Sequence, residues 1–426
     1  MSSSVHAAES VVVATLIQLI VIVLAARAAG NAARALRQPR AVGEIVAGLL
    51  RGPSVLGAVV PEVSGAIFSS AAAPAMPIMS QIGLILLMFQ IGCTFEFGHL
   101  RDARNKKAVF LVALASIGVP LVAGMLMGTV SAPVLAGGQH ALTYSLFVAV
   151  AFAITAVPIL GRILGEYSLT RSETGVIAIA AAAANDVVGW VLLAGIAGFA
   201  SAQFSLGGFG LLLGGLGVLF LAFAFIGRPL VDRLVRRFPL EDGELPGSLV
   251  AIVLACIFGA GICTQQLGIF TIFGGFLMGL LFHHHTAFVE SWRRQVGQFV
   301  LVFFLPIFFT YTGLRTNVLG LDSASDWVWC LGIVSAATAA KIVPVYFASR
   351  LAGLDPQQAK IMGVLMNTRA LMELIVLNLG FSLGFLPQKV FTMLVIMAVA
   401  TTVMTGPMLQ RLLRKTGHRL GVLVDA

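Results

Sequence analysis

The sequence predicts an all-α polytopic membrane protein with about 13 transmembrane helices. Of its 426 residues, 58% are hydrophobic and only 11% are charged, and the mean hydropathy is +0.98. The apolar residues form runs of about twenty, the length that a helix needs to cross a ~30 Å hydrocarbon core. A β-barrel would instead show short strands of alternating hydrophobicity. Because only helices and closed barrels satisfy the backbone in lipid, the long apolar runs indicate a helical bundle.

Thirteen apolar segments, numbered spans 1 to 13, follow one another along the chain. Spans 2 and 9 are short, and spans 5 and 12 carry polar residues or proline near their centres. The approximate bounds are Val11–Gly30, Ala41–Gly57, Pro77–Phe97, Ala108–Val130, Ala141–Leu164, Ser172–Ala200, Leu206–Leu230, Ser248–Thr264, Gly268–Phe282, Val296–Leu314, Trp327–Leu351, Gln358–Leu379 and Lys389–Leu413.

Arginine and lysine cluster in or beside the loops that follow the odd-numbered spans and are rare in the other loops. The positive-inside rule then predicts an external N-terminus and a cytoplasmic C-terminus, and we expect a bacterial inner membrane. The N-terminal sequence MSSSVHAAES lacks the basic region of a cleaved signal peptide, so span 1 is expected to be retained. The loop arginines account for the net charge of +9, so we expect contact with membrane lipids and no nucleic-acid partner.

Three pairs of sequences resemble one another at a distance of seven spans. GEIVAGLLRG in span 2 resembles TIFGGFLMGL in span 9, the ends of spans 3 and 10 are similar, and interrupted span 5 corresponds to interrupted span 12. An odd offset inverts the second copy in the membrane. We therefore predict inverted repeats in residues 1–230 (spans 1–7, including a linker helix) and 245–426 (spans 8–13), separated by EDGELPG. This organisation is typical of secondary transporters with a midplane site, and the alternative is chance likeness between apolar strings.

One acid, Asp186, lies near the middle of span 6, beside Asn185, in the sequence AAAANDVVGW. A charged side chain at the bilayer centre costs at least ~2.5–3.5 kcal/mol and usually faces a protein interior or an aqueous cavity. Asp186 is therefore a candidate for binding a transported ion. The alternative is a structural acid that is paired within the bundle.

Further polar residues are predicted at the depth of Asp186. They are Thr155 and Pro158 in span 5, Lys341 in span 11, and Asn367, Thr368 and Arg369 in span 12. Pro158 has no backbone donor and should break or kink its helix. Hydroxyl, carboxylate and freed carbonyl oxygens would form a hard-oxygen site for a small monovalent cation. We expect Lys341 to approach Asp186 and to give way to the transported ion.

The other intramembrane charges, among them Glu44, Arg369 and Glu373, are expected to pair and to offset the dipoles of the half-helices. Arg369 and Glu373 are four residues apart and could pair on one helix face. The tract His283–His285 suggests a metal site or a pH sensor, but a solvated loop end is the favoured interpretation.

Glycine pairs in three spans predict close helix packing; they are Gly124–Gly128, Gly210–Gly214 and Gly275–Gly279. The four cysteines show no CxxC spacing and are interpreted as small buried hydrophobic residues. No phosphate-binding loop, dinucleotide fingerprint or Ser/His/Asp set is evident, so we expect no enzyme activity and no cofactor beyond the transported ions.

The chain resembles the second family of cation:proton antiporters, which includes Kef-type potassium efflux systems and plant cation/H⁺ exchangers. The matching sequences are GEIVAGLLRGPSVLG (43–57), ITAVPILGRILGE (154–166), AAAANDVVGW (181–190), FLPIFFTYTGLRTNV (304–318), LMNTRALMELIVLNLG (365–380) and MAVATTVMTGP (397–407). The resemblance implies exchange of K⁺ or Na⁺ for H⁺ by alternating access, with Asp186 binding cation and proton, Asn185 before it and Lys341 nearby. It also implies two crossed broken helices and a homodimer. A core domain of spans 3–6 and 10–13 would move against a dimerisation domain of spans 1–2 and 8–9.

Three departures from the family pattern bear on mechanism. The Asp-Asp pair of electrogenic members is Asn185-Asp186 here, which favours electroneutral exchange. The family sequence NTRG ends in Ala370 instead of glycine. Kef-type members often carry a soluble regulatory domain; we expect that this regulation is absent here or was removed, and the sequence leaves open whether a regulatory subunit binds. A gated cation channel is the alternative function, although no repeated carbonyl filter is present in the sequence.

Overall fold

The computed structural model describes residues 2–36, 38–68, 75–94, 103–170, 172–200, 206–267, 270–369 and 371–414. Within these ranges the secondary structure is helical, and the only β-pairing is an isolated bridge between Glu241 and Glu244. The predicted all-α fold class is therefore confirmed.

Nineteen α-helices follow one another along the described chain. In the first half they are α1 (Ser2–Ala35), α2 (Arg40–Leu50), α3 (Leu56–Val59), α4 (Pro61–Ile67), α5 (Ala75–Cys93), α6 (Ala103–Leu135), α7 (Ala141–Ala153), α8 (Val157–Glu166), α9 (Glu173–Ala200), α10 (Leu206–Ala222) and α11 (Arg228–Arg237). In the second half they are α12 (Gly247–Gln266), α13 (Thr271–Phe282), α14 (Thr286–Trp292), α15 (Leu305–Arg315), α16 (Ala324–Leu351), α17 (Pro356–Met366), α18 (Leu371–Ser382) and α19 (Gln388–Arg414).

Within the described residues, each predicted span overlaps one or more consecutive helices, while the end of span 3 at Phe97 and the start of span 9 at Gly268 lie outside the described residues. Nine stretches in the described residues are long and apolar enough to cross a membrane. Spans 2, 5 and 9 are short or divided in the structure, for physical reasons that the sequence indicates, whereas span 7 is interrupted by a π-helix. Span 5 is divided into α7 and α8, and the apolar helix α13 has only 12 residues. Helix α2 ends at Leu50, three residues before Pro53.

Two predicted spans are longer in the structure because π-helical turns connect consecutive helices. A π-helix at Phe223–Gly227 joins α10 to α11, so span 7 continues to Arg237. Two more, at Arg293–Gly297 and Val300–Phe304, lie between α14 and α15. A π-turn inserts a residue into a helix without changing its apolar composition, so composition alone does not reveal it.

The described chain forms two compact units, and each unit draws on both halves of the sequence. The first consists of Met1–Arg27, Val59–Glu96 and Ala197–Tyr311, and the second of Ala28–Ala58, Phe97–Ile196 and Thr312–Ala426. The sequence EDGELPG, placed between the predicted repeats, lies inside the first unit as a turn with positive φ at Asp242 and Gly243. These units group the spans differently from the predicted core and dimerisation domains, and which helices move as one body stays a prediction.

In the first unit, α5 and α13 pack with their backbones in direct contact. A side chain at Gly279 would collide with the carbonyl of Phe89, and one at Gly92 with the carbonyl of Phe276. The close packing predicted from Gly275–Gly279 is confirmed. Gly210 and Gly214, in contrast, have no described atom within 4 Å of the Cβ they would add, so that pair marks no helix contact within the described chain.

In the second unit, α6 and α7 pack along Gly124 and Gly128, where an added Cβ would lie 2.7 Å from Ala149 and 2.5 Å from Ser145. The packing predicted from this pair is also confirmed. Helix α16 contacts α6, α17 and α19. These contacts place the interrupted helices α7–α8 and α17–α18 within one packed unit that also contains the described part of α9 up to Ile196.

Candidate ion-binding site at the two broken helices

The first helix break lies between α7 and α8. Helix α7 ends at Ala153, and Ile154 and Ala156 adopt extended backbone angles. Pro158 lies in the first turn of α8, just after the break. Proline is favoured there because the first turn of a helix leaves its N–H groups unpaired in any case. The predicted interruption of span 5 is therefore present, one turn before the proline rather than at it.

The second break lies between α17 and α18 and touches the first. Helix α17 ends at Met366, and the residues Asn367 to Arg369 that follow are not helical. The N–H of Ala156 donates a hydrogen bond of 3.1 Å to the carbonyl of Thr368. The hydroxyl of Thr155 donates a second, of 3.4 Å, to the carbonyl of Met366. The two discontinuous helices thus meet at their breaks, as the fold prediction requires; Ala370 lies outside the described residues.

Asp186 is buried on α9 and faces the start of α8. The backbone N–H of Val157, the first residue of α8, interacts with its carboxyl group. Carboxylates are stabilised at helix N-termini because the unpaired N–H groups there carry partial positive charge. The Oδ1 atom of Asp186 has no hydrogen-bond partner among the described residues. One carboxylate oxygen is therefore buried without the partner that such an atom normally has.

Asn185 connects α9 to the first break and to α6. Its Nδ2 donates to the hydroxyl of Ser116 at 2.9 Å and to the hydroxyl of Thr155 at 3.1 Å. The hydroxyl of Ser116 in turn lies 3.3 Å from Oδ1 of the same amide. All three side chains are buried. The amide therefore holds Thr155 in a fixed network rather than facing open space.

Lys341 is fully buried on α16, and its ammonium is bound by backbone carbonyls. It donates to the carbonyl of Ser116 at 2.7 Å and to that of Ala153 at 2.5 Å. No ion pair between Lys341 and Asp186 is present in the part of the chain that the structure describes, although their charges interact. Ala153 is the last residue of α7, so the ammonium compensates the negative end of that half-helix.

Arg369 makes the same kind of contact two residues earlier in α7. Its Nη1 donates to the carbonyl of Ala151 at 2.7 Å, and its Nη2 donates to the carbonyl of Ala337 at 3.0 Å. The guanidinium also lies 5.9 Å from the centre of the Phe152 ring, within cation–π range. Two cations thus cap the C-terminal end of α7.

The pairing suggested for Arg369 and Glu373 is not seen. Both carboxylate oxygens of Glu373 lack a hydrogen-bond partner among the described residues, and the side chain is fully buried. The i,i+4 rule assumes a continuous helix, whereas Arg369 precedes α18 and Glu373 lies within its first turn. The interrupted backbone therefore removes the geometry on which that pairing depended.

Several further polar atoms at the second break are buried and unpaired. Both amide atoms of Asn367 and the hydroxyl of Thr368 have no partner within the described ranges. A buried polar group without a partner costs about 1–3 kcal/mol. The breaks therefore concentrate unsatisfied oxygen atoms that a bound ion could satisfy.

Glu44 lies on α2 and pairs with another helix of the same unit. Its carboxylate accepts a hydrogen bond of 3.4 Å from Nη1 of Arg162 on α8. This contact ties α2 to the half-helix that begins at Val157. Its role in charge compensation stays a prediction.

The histidine tract lies at the end of α13, in the first unit. Nε2 of His285 is 2.8 Å from Oδ1 of Asp232, and Nδ1 of His283 is 2.6 Å from the carbonyl of Leu280. Among the described residues, no cluster of three or more His, Cys, Asp or Glu side chains is arranged to hold a metal ion. The metal interpretation of this tract gains no support.

Sequence reasoning missed Ser116 and the carbonyls of Ala151, Ala153 and Ala337. Ser116 is one of several small polar residues in apolar spans, and only its position near the centre of span 4 distinguishes it. The carbonyls carry no sequence signal, because every residue has one. The role of the Ala151 and Ala153 carbonyls follows from where α7 ends.

Two broken helices that meet beside a buried carboxylate, in a chain with inverted repeats, are characteristic of secondary ion transporters. The family described as sodium/hydrogen exchanger, transmembrane, matches residues 19–415, and the chain belongs to this family. It is accordingly an integral membrane protein, and the family resemblance inferred from the sequence is confirmed.

Several individual relatives are similar to this chain over most of its length. The chain is 34% identical over 408 residues to the Na(+)/H(+) antiporter NhaS4 of Synechocystis sp., covering 95% of this chain and 98% of that protein. It is 33% identical to Cation/H(+) antiporter 17 of Arabidopsis thaliana, covering 92% and 47%. It is 27% identical to K(+)/H(+) antiporter 1 of Saccharomyces cerevisiae, covering 91% and 45%. The chain thus spans about half the length of the plant and yeast relatives.

A solved structure shows the same fold. The sodium proton antiporter MjNhaP1 from Methanocaldococcus jannaschii, determined at pH 8, has a TM-score of 0.63 and 16% sequence identity. The similarity covers 96% of this chain and 98% of the other. At this identity the likeness supports the architecture and not the identity of the transported cation.

Proposed function

We propose that the chain is a secondary antiporter that exchanges a monovalent cation, Na⁺ or K⁺, for H⁺ by alternating access. The observation that carries the proposal is the meeting of the two helix breaks beside Asp186, whose Oδ1 is buried without a partner. A carboxylate can bind either a proton or a cation, which is the chemical requirement for exchange. The names of the relatives, which include Na⁺/H⁺ and K⁺/H⁺ antiporters, agree with it.

The site offers the ligand chemistry of a small hard cation. Such ions are bound by carboxylate, carbonyl, hydroxyl and amide oxygens. Asp186 supplies the charge, and the unpaired oxygens of Asn367 and Thr368 are the further candidates. Broken helices are tolerated at membrane depth where they line a cavity or bind an ion.

The exchange is proposed to be electroneutral, one cation for one proton. Asn185 is uncharged, and the ammonium of Lys341 is held by two carbonyls instead of by Asp186. If Asp186 alone alternates between ligands, the loaded site has the same charge with a proton as with a monovalent cation. Glu373 is a further buried acid that interacts with Lys341 and Arg369, and the proposal requires that its proton occupancy stays constant.

The remaining parts of the proposal follow from the family and from the distribution of charge. They are a homodimer, a bacterial inner-membrane location, an external N-terminus with a cytoplasmic C-terminus, and exchange without a cofactor. Arginines after the odd-numbered spans support the orientation.

The test is proton flux in proteoliposomes against outward gradients of Li⁺, Na⁺, K⁺ and Rb⁺, in a buffer that contains a metal chelator. Saturable proton uptake that depends on one or more of these cations would support antiport. Cation current without coupled proton movement would reject it in favour of a channel. Crosslinking in the membrane, with labelling of single cysteines from either side, tests the dimer and the orientation.

A further inference from the structure

Ser116 contacts the candidate site with both its side chain and its main chain. It is fully buried in the middle of α6. Its hydroxyl accepts a hydrogen bond of 2.9 Å from Nδ2 of Asn185, and its carbonyl accepts one of 2.7 Å from the ammonium of Lys341. One residue of a helix outside the two breaks thus contacts both neighbours of Asp186.

We propose that Ser116 is a positioning residue for the cation site, which fixes the amide of Asn185 with its NH₂ group toward Thr155. This inference rests on the proposed antiport. The amide of asparagine can rotate by half a turn, which exchanges its donor and its acceptor. In the observed orientation both hydrogens of Nδ2 are used, one by Ser116 and one by Thr155.

The orientation of this amide decides the direction of the next hydrogen bond. Because Thr155 accepts from Asn185, its own hydroxyl hydrogen is available to the carbonyl of Met366 at the second break. If the amide rotated, its oxygen would face Thr155 and draw that hydrogen away from Met366. Ser116 therefore controls, through Asn185, which oxygen atoms at the breaks remain available to an ion.

If the hydroxyl of Ser116 had a purely structural role, a different experimental outcome would be expected. The hydroxyl of Ser116 also donates a hydrogen bond of 3.0 Å to the carbonyl of Ala113. A serine commonly makes such a bond within its own helix. If only that contact mattered, replacing serine by alanine would be almost neutral, since alanine suits a helix and keeps the carbonyl that binds Lys341.

The first experiment compares Ser116→Ala with a matched control in proteoliposomes. Ser145→Ala also removes a buried serine hydroxyl, but that hydroxyl donates to Ala141 of its own helix at 2.7 Å and does not contact the site. We expect the apparent KM for the transported cation to rise roughly two- to tenfold in Ser116→Ala, the range set by one hydrogen bond. The maximal rate should stay within about twofold, since the fold and the carbonyl at position 116 are kept. Ser145→Ala should match the wild type.

A double-mutant cycle decides whether Ser116 acts through Asn185. The readout is the rise in thermal midpoint that saturating Na⁺ or K⁺ gives the purified protein, which needs no transport. Ser116→Ala should reduce this rise in the wild-type background and have no further effect in Asn185→Ala. Equal reductions in both backgrounds would overturn the proposal, as would a Ser116→Ala protein that matches Ser145→Ala.

Two controls keep the outcomes separate. If Ser116→Ala fails to fold, Ser116→Cys retains the shape with a weaker hydrogen bond and should show a smaller effect in the same direction; no effect there would reject the proposal. A wild-type protein without any cation–proton exchange would reject the proposed antiport. Wild-type exchange with an unchanged Ser116→Ala protein would reject only the role of Ser116.

Discussion

The N–H of Ala156 donates a hydrogen bond to the carbonyl of Thr368, and this single bond of 3.1 Å joins residues more than two hundred positions apart. Each partner is backbone that its own helix has left unpaired. The breaks therefore satisfy one another in part, while the side chains of Asn367 and Thr368 remain without partners among the described residues. A movement that separates the two breaks would leave the N–H of Ala156 and the carbonyl of Thr368 without each other as partners. We therefore expect transport to depend on this contact.

Asp186→Asn should abolish cation–proton exchange and leave the fold intact. Asparagine has nearly the same shape but cannot lose a proton at accessible pH or supply the negative charge that a cation needs. The measurement is cation-driven proton flux in proteoliposomes, with thermal midpoint and gel filtration to establish folding. Asp232→Asn is the matched control, because that acid lies outside the broken helices and contacts His285. Substantial exchange by a folded Asp186→Asn protein would reject this residue as the carrier.

Lys341→Ala should lower stability as well as alter transport. The substitution leaves the carbonyls of Ser116 and Ala153 without their charged donor. Hydrogen bonds to charged groups contribute about 1.5–3 kcal/mol each, so the loss should be on the order of 3 kcal/mol. The thermal midpoint should fall clearly, whereas Lys360→Ala, at an exposed position on α17, should have little effect.

The same substitution should move the pH profile of exchange to higher pH. Removing a positive charge that acts on Asp186 favours the form of the carboxyl group that holds a proton. Proton release would then need a more alkaline solution. Initial rates measured from acid to alkaline pH at fixed cation concentration test this shift. A profile that keeps its position while stability falls would assign Lys341 to the capping of α7 alone.

Gly279→Ala should destabilise the first unit. The added methyl group would collide with the carbonyl of Phe89, which is rigid helix backbone. Forced overpacking of this kind costs about 1–3 kcal/mol. Gly259→Ala is the control, since no described atom lies within 4 Å of the Cβ it would add. Its effect should be neutral or slightly stabilising, because alanine is the better helix former. Equal thermal midpoints for the two variants would contradict the close contact.

The sequence predicted the structure correctly where the type of a residue has a single physical consequence. Apolar runs located the spans, the proline indicated an interrupted helix, and the interruption was found one turn earlier. Reasoning failed where helical continuity was assumed, as for Arg369 and Glu373, or where the partner is a backbone carbonyl. Lys341 binds Ala153, 188 positions away, and nothing in either residue type indicates that contact. The π-helical turns were not predicted for a related reason, because they alter the geometry of a helix and not its composition.

The last prediction concerns the charge that one transport cycle moves. If Asp186 alone carries either one proton or one monovalent cation, the membrane potential does no net work on the cycle. A second proton carrier would couple the cycle to voltage at ~2.3 kcal/mol per charge per 100 mV. Among the described residues, Glu373 and Lys341 are buried ionisable groups that interact electrostatically with each other, and either could supply that extra charge.

The experiment measures the reversal point of exchange in proteoliposomes whose potential is clamped with K⁺ and valinomycin, with Na⁺ as the transported cation. We expect reversal where the Na⁺ and H⁺ concentration ratios are equal, at every imposed voltage, in the wild type and in Glu373→Gln alike. A reversal point that follows voltage in the wild type would reject one-for-one exchange. If the voltage dependence then disappeared in Glu373→Gln, that acid would be the second carrier. If it persisted there and disappeared in Lys341→Ala, the ammonium would have to leave the carbonyls of Ser116 and Ala153 during each cycle.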